Sequence, residues 1–102
     1  MKNYIGYEEL ESGRGFPLMK DFMEKEPYPS KDAIIQYLRN GDMVLARVSR
    51  IKDVFSGEYI PFEVLIMTDG KYFWSNILAW YVDKYNVRLP KEFEAHILKQ
   101  TE

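Results

Sequence analysis

His96 is the chain's one histidine, and cysteine is absent. A lone imidazole with no thiolate does not supply a zinc site, nor does it complete a Ser–His–acid set. His96 falls off the Phe93/Ile97 stripe of its segment, so the spacing predicts a solvated side chain. Glu92 and Glu94 beside it do not form a paired carboxylate set. Two distant acids, Glu63 and Asp53, are an acid–base dyad only if the fold brings them together. "GRG" at 13–15 lacks both the GxxxxGK[ST] spacing and a preceding strand, so it is not a phosphate loop. The expectation is therefore no catalytic residue, no metal ligand and no cofactor, and a protein that is not an enzyme.

What remains is recognition chemistry. Thr68 to Tyr85 places six aromatic residues in eighteen. On a helix following Ser75, the residues Ile77, Leu78, Tyr81, Val82 and Tyr85 cluster at i, i+4 spacing and read as a core stripe. Trp80 falls on the opposite side, near Asp83 and Lys84. Either residues 1–29 fold over Trp80, with Phe16, Phe22 or Met23 as cover, or Trp80 is a partner anchor with Lys84 beside it. Exposed Trp and Tyr are enriched at interface hot spots. Tyr72 and Trp74 pose the same choice on a sheet face flanked by Arg47 and Glu63. They are half-covered core or an amphipathic docking surface. The acids Glu8, Glu9 and Glu11 are a solvated cluster, or a phosphate-like charge shown to a basic partner.

The elements that must position these residues follow from pattern. The chain has 102 residues, enough for one domain with a core of its own. Formal charge is −2, from 14 basic and 16 acidic residues, which is not the footprint of a general nucleic-acid binder. No apolar run reaches signal-peptide or membrane-span length, and with no cysteine the expectation is a cytoplasmic protein with no membrane or direct nucleic-acid partner. Residues 1–29, rich in Gly and Pro, read as an arm with a short helix after Pro17. Residues 30–102 read as a single α+β domain.

Within that domain Ser30 caps a helix over 31–39 with an Ile34/Ile35/Leu38 stripe, and Asn40-Gly41 stops it with glycine able to take a left-handed turn. Met43 to Ile51 alternates as a strand, with Val44, Ala46 and Val48 on one face. Tyr59 to Met67 is a second strand with Ile60, Phe62, Val64 and Ile66 facing the core. Pro61 confines that stretch to an edge or strand start. Asp69-Gly70 predicts a two-residue hairpin pairing Ile66 with Phe73, Met67 with Tyr72 and Leu65 with Trp74. Ser75 caps the next helix, which runs to about Tyr85, and a last helix covers 91–99. The sum is a three-stranded antiparallel meander with an N-terminal arm and three to four helices.

The stretch "TDGKYFWSNILAWYVDKYNVRLPKEF" resembles a family of small bacterial proteins with the pattern TDG, a Trp, then L-x-x-Y-V-x-x-Y-x-V-x-L-P-x-x-F. These positions are Thr68, Asp69, Gly70, Trp74, Leu78, Tyr81, Val82, Tyr85, Val87, Leu89, Pro90 and Phe93. "SRIKDVFSGE" (Ser49 to Glu58) fits as well, and the similarity spans about residues 30–98. Such proteins look like immunity proteins of toxin–immunity systems, including contact-dependent inhibition. The resemblance implies a protein that binds and neutralises a cognate toxin domain, a nuclease being the leading case. It carries over no binding residue. A generic adaptor domain in a larger assembly is the alternative, and a small enzyme with dispersed carboxylates the third.

Overall fold

The computed structural model describes residues 3–47 and 49–101; Val48, assigned above to a strand face, lies outside them. The fold is α+β. Its sheet is four-stranded and mixed, so the three-stranded antiparallel meander is corrected. The strands are β1 (Tyr4–Ile5), β2 (Asp42–Arg47), β3 (Val64–Thr68) and β4 (Phe73–Ser75), in the order β1-β4-β3-β2. Helices α1 (Lys31–Arg39), α2 (Ile77–Tyr85) and α3 (Lys91–Gln100) follow the expected bounds closely, and Met19–Phe22 forms a 3-10 turn.

The fourth strand comes from the N-terminal stretch. β1 lies parallel to β4, with Tyr4 opposite Phe73 and Ile5 opposite Trp74. The same stretch sends Tyr7, Met19 and Tyr28 into the core. Tyr7 Oη donates to the Arg88 carbonyl, and Tyr28 Oη donates to the Val87 carbonyl at 2.7 Å. Each buried phenol thus satisfies its polar end on one loop, 86–89, which ties the N-terminus to the link between α2 and α3.

The hairpin differs from the two-residue turn. The observed pairs are Met67 with Trp74 and Thr68 with Phe73, which leaves Asp69–Tyr72 as the loop. A type I′ turn needs positive φ at both central residues, and here only Gly70 has it, at 99°. Asp69 instead bends the chain with its side chain. Its Oδ1 accepts the backbone N–H of Lys71 at 2.9 Å and of Tyr72 at 2.8 Å. This Asx geometry lengthens the loop and slides the register.

The helices cover the face opposite the one expected. Trp74 is fully buried, and its Nε1 donates to the Leu38 carbonyl of α1 at 3.0 Å. Its ring packs on Phe93 of α3 at 5.5 Å. Met67, its cross-strand partner, shares that face. Val64 and Ile66 point the other way, into a recess closed by Tyr4, Leu10 and Ile51. Ile60 is buried but outside β3, and Pro61 sits in a bend before it.

Gly41 serves Trp74 rather than a left-handed turn. A Cβ there would lie 2.7 Å from Trp74 Cζ2 and 3.1 Å from the Thr68 carbonyl oxygen. Gly41→Ala is therefore expected to lower stability by about 1–3 kcal/mol, the usual cost of overpacking, read as a lower urea midpoint.

Ser75 ends β4, and Asn76 is the first residue of the helix entry. Asn76 clamps that entry to β3 with three bonds. Its N–H donates to the Leu65 carbonyl at 2.9 Å, its Oδ1 accepts the Leu65 N–H at 2.9 Å, and its Nδ2 donates to the Glu63 carbonyl at 2.9 Å. The clamp fixes the start of α2 against β3. In β2, the next strand out, all six residues are exposed.

Candidate interaction surface

Between α2 and β3 a groove of about 250 Å³ opens. Leu65 and Met67 of β3 line it with Ala79 and Trp80 of α2, while Phe62, Asn76 and Arg39, the last residue of α1, complete it. None of these lining residues is acidic.

Trp80 is the groove's anchor. It is half-buried, neither turned freely to solvent nor covered by the N-terminal stretch. The cover comes from the 51–62 segment. Trp80 Nε1 donates to Asp53 Oδ2 at 2.9 Å, and Phe62 meets the indole edge-on with centroids 6.0 Å apart. Of the two alternatives for Trp80, cover by residues 1–29 is corrected, since the contacts come from Asp53 and Phe62. Its ring stands beside β3 and contributes one wall of an open cleft. Lys84 Nζ lies 4.5 Å from the indole centroid, a cation–π contact at an exposed site.

Asp53 holds this wall in place and is only 1% exposed. Its Oδ1 accepts the Phe55 and Ser56 N–H groups at 2.8 and 3.1 Å, while Oδ2 accepts Trp80 Nε1 and the Tyr85 hydroxyl at 2.8 Å. Burial alone would raise its pKa. The four donors outweigh burial and hold the carboxyl below its ordinary value. With these donors already on it, Asp53 is a structural pin rather than half of a dyad with Glu63.

The other predicted residues fall elsewhere. Trp74 is core and presents no surface to a partner. Tyr72 packs on Phe93 and His96, with centroids 4.8 and 4.9 Å away, under Lys71. The acids are occupied by their own loop. Glu8 accepts the Gly13 N–H at 3.1 Å, and Glu11 pairs with Arg14 at 2.6 Å. Glu9 accepts the N–H groups of Met19 and Lys20 at 2.6 and 3.0 Å; these lower its pKa against the raising effect of burial. None of the three reaches the groove's lining.

His96 is not solvated. Its Nε2 donates to Asp69 Oδ2 at 2.7 Å, and Tyr37 Oη donates to the same oxygen. Burial works to raise the Asp69 pKa, but these bonds and the two loop N–H groups bring it down to about 2. The cluster joins the hairpin, α1 and α3, which is a sufficient account of it.

Phe62 and Arg39 were not among the predicted site residues. Pro61 was the available signal for Phe62, since a proline cannot donate to the ladder and here the strand begins only after Phe62. Arg39 carries no signal beyond its place at a helix end. Among the described residues, no helix is long and apolar enough to cross a membrane, and no group of three His, Cys, Asp or Glu could hold a metal ion. Comparison with known protein families, with curated proteins and with solved structures gives no match.

Proposed function

We propose that this chain is a protein-binding inhibitor of the immunity type, which docks a cognate toxin domain, with a nuclease as the leading case, and occludes its active or substrate-binding site. The observation that carries the binding role is the groove around Trp80. It is apolar at its floor, walled by two rings, lined by the cation Arg39, and held by Asp53, with Lys84 stacked on the Trp80 wall. A rigid socket of this size accepts one apolar side chain with little ordering cost. Arg39 in the lining and Lys84 on the Trp80 ring suit a partner whose anchor is flanked by acids. The toxin as occupant comes from the resemblance of residues 30–98. The adaptor reading uses the same groove and differs only in the partner.

Growth rescue tests the reading. The chain is co-expressed with the reading frame directly upstream of its own, tested for toxicity alone, and binding of the purified pair is measured by calorimetry. Wild type is expected to rescue growth. Trp80→Ala is expected to weaken binding by about 2 kcal/mol, the scale of an interface anchor, and Phe62→Glu to do so by at least as much. Phe62→Glu leaves the Trp80–Asp53 bond in place, so it separates binding from folding. If both variants fold and bind as wild type does, the groove is not the docking site. If no neighbouring toxin is neutralised while the groove still captures an acidic-flanked partner, the adaptor reading replaces this one.

A further inference from the structure

We infer that the outer edge of β2 pairs with the β2 of a second copy of this chain, joining two sheets into one eight-stranded sheet. The inference is independent of the groove reading, because it uses the backbone edge of β2 and not the face beside Trp80.

β2 is the last strand of the sheet, and among the described residues it pairs with β3 alone. An edge strand presents unpaired N–H and C=O groups, and protein edges are commonly blunted by charged side chains, lysine above all, by proline, by a bulge or by a covering segment. β2 has the bulge and a charge at each end, and both have a place in the pairing of two copies. "DMVLAR", Asp42 to Arg47, has no lysine and no proline, and it exposes three consecutive apolar side chains. Met43 is 60% exposed, Val44 48% and Leu45 48%.

The order of residues in β2 identifies the occupant. Antiparallel pairing about a two-fold axis between Val44 and Leu45 sets Asp42 opposite Arg47 of the second copy, Met43 opposite Ala46, and Val44 opposite Leu45. Both ends then carry an opposite-charge pair, and the middle is apolar. Directly opposed residues must share a face of the sheet. In an unbroken strand, residues five apart point to opposite faces and this register would fail.

The bulge between Met43 and Leu45 removes that obstacle. Asp42 pairs with Thr68 and Arg47 with Val64; those partners stand four apart on β3, so Asp42 and Arg47 share a face. Met43 pairs with Met67 and Ala46 with Leu65, two apart, so they share the other. The extra residue, Val44, thus gives both outer pairs of this register the shared faces they need, and it sits with Leu45 at the centre of the pairing. Glu11, which lines the recess beside Arg47, is already paired with Arg14.

Sedimentation equilibrium of the full chain, at about 10–500 µM, tests this. A six-residue pairing lies at the small end of specific interfaces, so the expected dissociation constant is on the order of micromolar to tens of micromolar. Asp42→Arg and Arg47→Asp each turn two attractive pairs into repulsive ones and are expected to weaken the dimer by about tenfold or more. Both positions are exposed, so circular dichroism should show an intact fold. Mixing the two single variants is expected to restore dimerisation, because each then meets its opposite, and the double variant is expected to dimerise alone. Restoration cannot come from a merely structural effect of either change. A wild-type chain that stays monomeric at 500 µM overturns the inference. So does a dimer that ignores the single charge reversals, or one that is not restored by mixing.

Discussion

Trp74→Ala is expected to lower the unfolding free energy by about 3–5 kcal/mol, the range for removing a large buried aromatic. The ring is fully buried between the sheet and two helices, with Tyr37 of α1 at 6.1 Å and Phe93 of α3 at 5.5 Å. Removing it opens a cavity bounded by rigid elements, which cannot collapse to fill the space. It also orphans the Leu38 carbonyl that accepts Nε1 at the end of α1. A domain of this size has only about 5–15 kcal/mol in total, so the variant should lose roughly a fifth of its stability or more. Trp74→Phe separates the two contributions. It keeps most of the packing and loses the donor, for an expected cost of about 1–2 kcal/mol. Urea unfolding followed by far-ultraviolet circular dichroism measures both. A cost below about 1 kcal/mol for Trp74→Ala would show that the ring does not bridge sheet and helices.

Trp74 also shows where pattern reading stops. Its segment, its strand and the helix after it were legible, because α1, α2 and α3 each carry a 3.6-residue apolar stripe bounded by Asn, Gly or Pro. Which sheet face the helices cover was not. β3 reads VLIMT and is apolar on both faces, so alternation cannot choose between Val64/Ile66 and Leu65/Met67. The choice is made by Gly41 and Leu38, which receive the indole from another element. The hairpin register failed for a related reason. Asp-Gly favours a tight turn, yet Asp69 is recruited by Lys71 and Tyr72 N–H groups, by Tyr37 and by His96, and the longer loop satisfies all of them. His96 was misplaced with it, since its partner lies on a different element. β1 is two residues long, too short for any period. Of the candidate surface, Trp80 and Lys84 were legible as residues off the core stripe. Their cover was not, because it depends on where the 51–62 segment lands.

That segment is anchored by Asp53, and Asp53→Ala is expected to cost about 3 kcal/mol. Removing the carboxylate leaves Trp80 Nε1, the Tyr85 hydroxyl and the Phe55 and Ser56 N–H groups without their acceptor in a buried site. Asp53→Asn should cost less. Its Oδ1 still accepts the two loop N–H groups and the Tyr85 hydroxyl can turn to accept, but its Nδ2 faces the Trp80 donor. Acid should act in the same direction as these changes. The folded carboxyl is held below its ordinary value of 3.8. Its contribution is therefore complete above pH 4 and lost as pH falls below that, because protonation is easier in the unfolded chain. Neither variant retains this part of the acid response, so the difference in stability between wild type and variant should shrink from pH 7 to pH 3. Because Phe62 and Trp80 meet across the groove, releasing Asp53 should also loosen that wall. Trp80 emission should shift to the red in Asp53→Ala under native conditions, while buried Trp74 supplies an unshifted background. An unchanged spectrum together with an unchanged urea midpoint would mean that the 51–62 segment is held by something other than this carboxylate, and that the groove wall does not depend on it.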